Sequence, residues 1–195
     1  MQNIWKKAEE VLNKAGVVIL PTDTLYGMIG RAESKKTVEK IYEIKGRNEN
    51  KPFIVLITSY KDLEIFGVKI NREQAKFLKK IWPGKVSVIL SCKLSKFKYI
   101  HRGVNSIAFR MIGKRNKNLY NLIKKVGPVV APSANPEGMS PAETIKQAKS
   151  YFSPRSDLGV DLYISGGKRK LKPSTLIKLE NDKFVILRQG EKKIK

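Results

Sequence analysis

The chain has 195 residues, 41% of them hydrophobic, enough for one packed core. Its 40 Lys and Arg stand against 17 Asp and Glu, a formal net charge of +23, which favours anionic partners such as nucleotides, nucleic acid or acidic surfaces. A single cysteine excludes an intramolecular disulfide, a single histidine excludes His-rich metal sites and zinc fingers, and no apolar run approaches the roughly 18 residues of a membrane span.

Ile4, Ala8, Val11, Leu12 and Ala15 recur at helical spacing, and Gly16 stops the pattern. This charged amphipathic start lacks a signal-peptide core, so a cytoplasmic protein without membrane association is expected. Val17–Leu20 reads as a buried strand ending at Pro21. Ser34 can cap a helix running to about Lys45. Phe53–Ile57 reads as a second apolar strand, followed by helices over Lys61–Phe66 and Asn71–Trp82, the latter stopped by Pro83-Gly84. Strands are expected at Val86–Leu90 and Ser106–Ile112, a helix at Lys117–Val126 and a short strand at Val129–Ala131. A helix over Pro141–Phe152 precedes strands at Leu162–Ser165, Ser174–Leu179 and Phe184–Arg188. Gly166–Lys170 reads as a flexible basic loop. Alternating helices and strands give an α/β class, with antiparallel pairing expected among the last strands.

The charge is uneven. No Asp or Glu occurs between residues 74 and 136, a stretch holding 14 Lys or Arg. Lys outnumbers Arg 31 to 9, so a Lys-rich composition accounts for part of the excess. Cys92 ends the apolar stretch Val86–Cys92 and reads as a small buried hydrophobe. Neither a P-loop nor a G-x-G-x-x-G is present, and a Ser-His-Asp triad would have to recruit His101, which has no acid near it in sequence.

Four polar clusters sit at the ends of apolar strands or helices. Pro21-Thr22-Asp23-Thr24-Leu25-Tyr26-Gly27 fits a polar substrate, a cation, or a capped turn. Lys45-Gly46-Arg47, followed by Lys51-Pro52, can converge on one anion or simply complement a helix C-terminus. Ala131-Pro132-Ser133-Ala134-Asn135-Pro136 is a rigid turn that can aim a hydroxyl and an amide at a ligand or serve structure alone. Arg110 lies in the apolar run Ile107–Met111, where its charge is costly unless it meets a bound anion or a carboxylate. Ser174-Thr175 opens a strand and Arg188 ends one.

Together with Trp82-Pro83-Gly84, Pro173-Ser174-Thr175 and Ile186-Leu187-Arg188, these segments occur in an order that resembles the YrdC family, the L-threonylcarbamoyladenylate synthases. The resemblance spans about residues 5–190 and suggests the short form, with 1–195 as a single domain. It implies a twisted, mixed parallel and antiparallel open sheet with flanking helices and a basic concave face. It also implies a nucleotidyltransferase that makes threonylcarbamoyl-AMP and pyrophosphate from L-threonine, bicarbonate and ATP, for modification of tRNA adenosine 37. By position, Lys45 and Arg47 would be catalytic, holding ATP phosphates. Lys51, Ser133, Asn135 and Arg188 would complete the nucleotide site. Thr24, Arg110 and Ser174 would bind threonine, with Mg2+ carried on the ATP phosphates. Implied partners are a downstream threonylcarbamoyl-transferase complex and tRNA or other RNA. Two positions depart from many relatives: Leu56 replaces a His that could hydrogen-bond threonine, and Lys51 replaces an Asn. The other reading of the charge is an RNA-binding or ribosome-assembly module on the same scaffold.

Overall fold

The computed structural model describes residues 3–48, 50–152, 159–180 and 183–194. Its core is a nine-stranded mixed sheet in the order β7-β1-β2-β6-β3-β5-β4-β8-β9. The strands are β1 (Val18–Pro21), β2 (Tyr26–Arg31), β3 (Ile54–Ile57), β4 (Val86–Ser91), β5 (Ser106–Met111), β6 (Val129–Val130), β7 (Leu162–Tyr163), β8 (Thr175–Glu180) and β9 (Lys183–Arg188). Antiparallel pairing is not confined to the last strands. β1–β2, β2–β6, β3–β6, β4–β5 and β8–β9 are antiparallel, whereas β1–β7, β3–β5 and β4–β8 are parallel.

Local chemistry sets the helices. In α1 (Ile4–Asn13) the Asn3 side chain accepts from the Trp5 amide. In α2 (Lys35–Lys45) Ser34 accepts from Thr37, and Gly46 ends the helix at φ 56°, where a side chain would strain the backbone. Then come α3 (Lys61–Ile65), α4 (Arg72–Ile81), α5 (Lys98–His101), α6 (Lys117–Val126) and α7 (Ile145–Phe152). A capping box between Asn71 and Gln74 starts α4. Helix α7 begins at Ile145 rather than Pro141. The stretch Ser95–His101 folds into a 3-10 turn and α5, which the sequence pattern did not indicate.

One sheet face is sealed by α2 to α5 around Val55, Val88, Phe109 and Met111. The other is only part covered. There α1 and α6 bury Val18, Leu20, Ile29, Leu56, Ile112 and Val129, each large side chain contributing about 1.5–3 kcal/mol. Beyond those helices, Ile54, Ala108, Ile89 and Leu176 are only half-buried and Lys178 is exposed, so this part of the face stays open. Among the described residues, no helix is long and apolar enough to cross a membrane.

Candidate active-site cleft

The Pro21-to-Gly27 cluster is the tight connection from β1 to β2. Thr22 uses both its amide and its hydroxyl on the Leu25 carbonyl, at 3.0 and 2.7 Å. The Thr24 amide donates to the Thr22 hydroxyl at 3.2 Å. This closes the turn and holds Thr24 at the edge of a cleft of about 220 Å³. From β6 the chain enters the Pro132–Asn135 turn. The Met28 amide donates to Pro132 O and the Ala134 amide to Tyr26 O, both at 2.8 Å, so the turn lies against β2.

Six of the nine site residues expected from sequence line this cleft: Thr24, Arg47, Arg110, Ser133, Ser174 and Arg188. Three arginines therefore converge from three distant parts of the chain. Arg47 is half-buried. Its Nε donates to Lys51 O at 3.1 Å, and its guanidinium lies 5.2 Å from the Phe53 ring centroid. Burial lowers its proton affinity, which Tyr42 and Glu137 oppose. Arg188 donates to Ser174 O at 2.9 Å, and partial desolvation, then the neighbouring Arg110 charge, lower its proton affinity too.

Arg110 is buried, and its charge is met by Asp23 at 3.0 Å, both side chains about 5% exposed. Burial lowers the affinity of Arg110 for its proton, and Asp23 opposes that. Arg110 Nε has no protein partner among the described residues. Of the two sequence alternatives for Arg110, the carboxylate partner is present, and the residue also lines the cleft.

The other three expected residues do not line it. Lys45 is 2% exposed, and its ammonium donates to the carbonyls of Ser133, at 2.6 Å, and Asn135. It clamps the turn that presents Ser133. Burial first, then Arg47, pulls the Lys45 ammonium down to about 7, with Glu137 pulling back. Asn135 donates to Pro136 O at 2.9 Å and Met139 O at 2.8 Å, shaping the next turn. Lys51 is exposed and ion-paired with Glu137. That pairing, then the Asn48 amide, holds the Glu137 carboxyl below its usual range.

Sequence reasoning missed several supports. Ser87 on β4 is fully buried and shares a 2.8 Å hydrogen bond with the Ser174 hydroxyl. Gly190 packs so tightly that a Cβ would lie 2.1 Å from Pro173 O, and its amide donates to Thr175 Oγ1 at 3.0 Å. The Gly166–Lys170 loop is anchored, contrary to the sequence reading. The Tyr26 hydroxyl donates to Gly167 O at 2.7 Å and accepts from the Gly166 amide at 2.9 Å. Leu56 lies opposite Arg110 in the β3–β5 register but is packed under α1 and α6, while Phe53 and Ile54 reach the cleft.

Residues 10–190 match the model of the Sua5, YciO and YrdC proteins, described as "Telomere recombination". The chain belongs to this family. It is 30% identical over 191 residues to the threonylcarbamoyl-AMP synthase of Pyrococcus abyssi, covering 95% of this chain and 54% of that protein. It is 31% identical over 187 residues to the Bacillus subtilis protein of the same name, covering 94% and 52%. The crystal structure of P. abyssi Sua5 complexed with L-threonine superposes with a TM-score of 0.85 at 28% identity, over 95% of this chain and 54% of that one. The chain thus spans about half the length of these relatives. The YrdC resemblance and the mixed open sheet expected from it are both borne out.

Proposed function

We propose that the cleft forms threonylcarbamoyl-AMP and pyrophosphate from L-threonine, bicarbonate and ATP. The observation that carries this reading is the convergence of Arg47, Arg110 and Arg188 with Ser133 and Ser174 on one cleft, in a chain of this family. Arg110, neutralised in part by Asp23, would take the threonine carboxylate, with the Thr24 and Ser174 hydroxyls beside it. Arg47, Ser133 and Arg188 would hold the nucleotide. Lys45 and Asn135 would act by shaping the Ser133 turn, and Lys51 by the charge it adds at the rim.

The threonine amine attacks bicarbonate carbon, and loss of water leaves a carbamate. A carbamate oxygen then attacks the α-phosphorus of ATP, and the bond to the β-phosphate oxygen breaks to release pyrophosphate. No protein nucleophile is required. The contribution of this chain is positioning and neutralisation of negative charge. Among the described residues, no cluster of three His, Cys, Asp or Glu could hold a metal ion. Magnesium would be carried on the ATP phosphates, as part of the substrate. The product is a reactive mixed anhydride whose threonylcarbamoyl group must pass to an acceptor, which the family resemblance gives as tRNA, with a transferase complex carrying out the transfer.

The test incubates the protein with ATP, threonine and labelled bicarbonate. Pyrophosphate release that requires all three, with label in the adenylate, is expected. Folded protein that releases none would refute the assignment.

A further inference from the structure

A second cavity, of about 600 Å³, opens on the helix-covered side of the sheet, between α2 and the segment Ser95–Arg102. Among the described residues, its lining carries Lys35, Lys96, Lys98 and Arg102 against one acid, Glu39. Arg102 takes up that acid: its two terminal nitrogens meet the two Glu39 oxygens at 3.2 and 2.6 Å. The three lysines are exposed and have no carboxylate within ion-pair distance among the described residues. Three like charges around one concavity repel each other, and a multivalent anion placed there would relieve that repulsion.

The back of this cavity is closely packed. The Arg102 guanidinium lies 3.9 Å from the Tyr42 ring centroid. Tyr42 stacks on Phe53 at 4.0 Å and 21°. Phe53 carries Arg47 on its far side, at 5.2 Å. Tyr42 OH and Arg47 Nε both donate to Lys51 O, at 3.0 and 3.1 Å. The stacked column Arg102–Tyr42–Phe53–Arg47 therefore runs from this cavity to the cleft and fixes Arg102 in place. Ser95 adds a hydroxyl and Tyr99 a half-buried ring to the walls. A volume of this size is in the range of small-molecule sites.

We propose that this cavity is a second anion site, which binds an oligophosphate, either free or carried by a nucleotide. Lys96 and Lys98 supply exposed cations, Lys35 a third from the start of α2, and Arg102 a wall held by Glu39 and the Tyr42 ring. The proposal does not rest on the reaction assigned to the cleft: no residue that lines this cavity also lines the cleft.

Titration with inorganic pyrophosphate at 150 mM salt, followed by amide resonances, tests it directly. Saturable shifts of the Ser95–Arg102 amides are expected. Lys96→Glu with Lys98→Glu should weaken that binding at least tenfold. Lys79→Glu with Lys80→Glu, an equal charge change on α4, should leave it unchanged. A parallel ATP titration separates the sources: a docked base would also move the Tyr99 ring protons, whereas movement of the amides alone would assign the site to the phosphates. Absence of saturable shifts in this segment would overturn the proposal. So would equal weakening by both double variants, which would mark a general polyanion effect.

Discussion

Asp23 and Arg110 lie 3.0 Å apart beneath the cleft, each side chain about 5% exposed. They come from the β1–β2 turn and from the middle of the sheet, 87 positions apart in the chain. A buried guanidinium without this carboxylate would carry the desolvation cost alone.

Removing both partners should therefore cost less than the two single removals summed. Asp23→Ala should destabilise the fold by about 3–5 kcal/mol, the range for a broken buried pair. Asp23→Ala with Arg110→Ala should cost less than the two single changes combined, because the orphaned charge disappears. Urea denaturation of the three variants checks this. Additive losses would mean that the pair is not coupled.

This pair also shows what the sequence could carry. Arg110 in the run Ile107–Met111 was legible as a charge in need of an anion, because the alternation of a buried strand leaves no solvent for it. Its partner was not, since sheet pairing brings Asp23 to it from far along the chain. The helix after Ser34 was legible from that cap, and the one from Asn71 from its stop at Pro83-Gly84. Strand β2 was not: Gly27 and Gly30 break the β-propensity pattern, and Gly30 is required by packing, since a Cβ there would lie 2.4 Å from the Thr37 side chain. Lys45 and Arg47 could either converge on one anion or complement the end of α2. Gly46 directs one into the interior and the other toward the cleft. The role of Ser87 depends on its 2.8 Å contact with Ser174, which no local pattern announces.

Lys45 offers a pH test. Burial lowers its affinity for a proton to about 7, against 10.5 for the free side chain. Below about 7 both folded and unfolded chains hold the proton, and the desolvation cost of the folded ammonium is fully present. Between about 7 and 10.5 the unfolded chain binds more protons, so this group makes stability rise with pH. Lys45→Met should remove that rise, and it should also leave the Asn135 carbonyl without its donor, at about 1–3 kcal/mol for a buried acceptor, whereas the Ser133 carbonyl keeps the Asn135 amide at 3.0 Å. Denaturant midpoints of both proteins at pH 7 and pH 10 check this. A wild-type difference equal to that of Lys45→Met would contradict it.

Tyr26 should control the order of the Gly166–Lys170 loop. Its hydroxyl is both donor and acceptor there. Tyr26→Phe keeps the buried ring and removes only that oxygen. The Gly166 amide should then exchange with solvent about tenfold faster or more, corresponding to about 1.4 kcal/mol for a lost hydrogen bond. The β1–β2 amides should keep their protection. Hydrogen exchange read residue by residue decides the matter, and unchanged exchange at Gly166 would show that the loop is held by other contacts.

Arg47 is the residue on which the phosphate assignment can be tested most directly. Its guanidinium is oriented by Lys51 O and by the Phe53 ring, so it meets the cleft as a fixed planar fork. A phosphate oxygen pair matches that fork, whereas an ammonium offers a single point charge. Arg47→Ala should therefore lower pyrophosphate release by more than tenfold, about 1.4 kcal/mol or more of transition-state stabilisation, without lowering the melting temperature appreciably. Arg47→Lys should restore the charge but only part of the rate, because the stacked, bidentate geometry is lost. The informative readout is the split between constants. If Arg47 holds the phosphates in both ground and transition state, KM for ATP should rise with little change in KM for threonine. If it acts on the charge that develops as pyrophosphate leaves, kcat should fall instead. Retention of full activity by Arg47→Ala, with the protein folded, would remove Arg47 from the nucleotide site and leave Arg188 and Ser133 as its remaining polar contacts in the cleft.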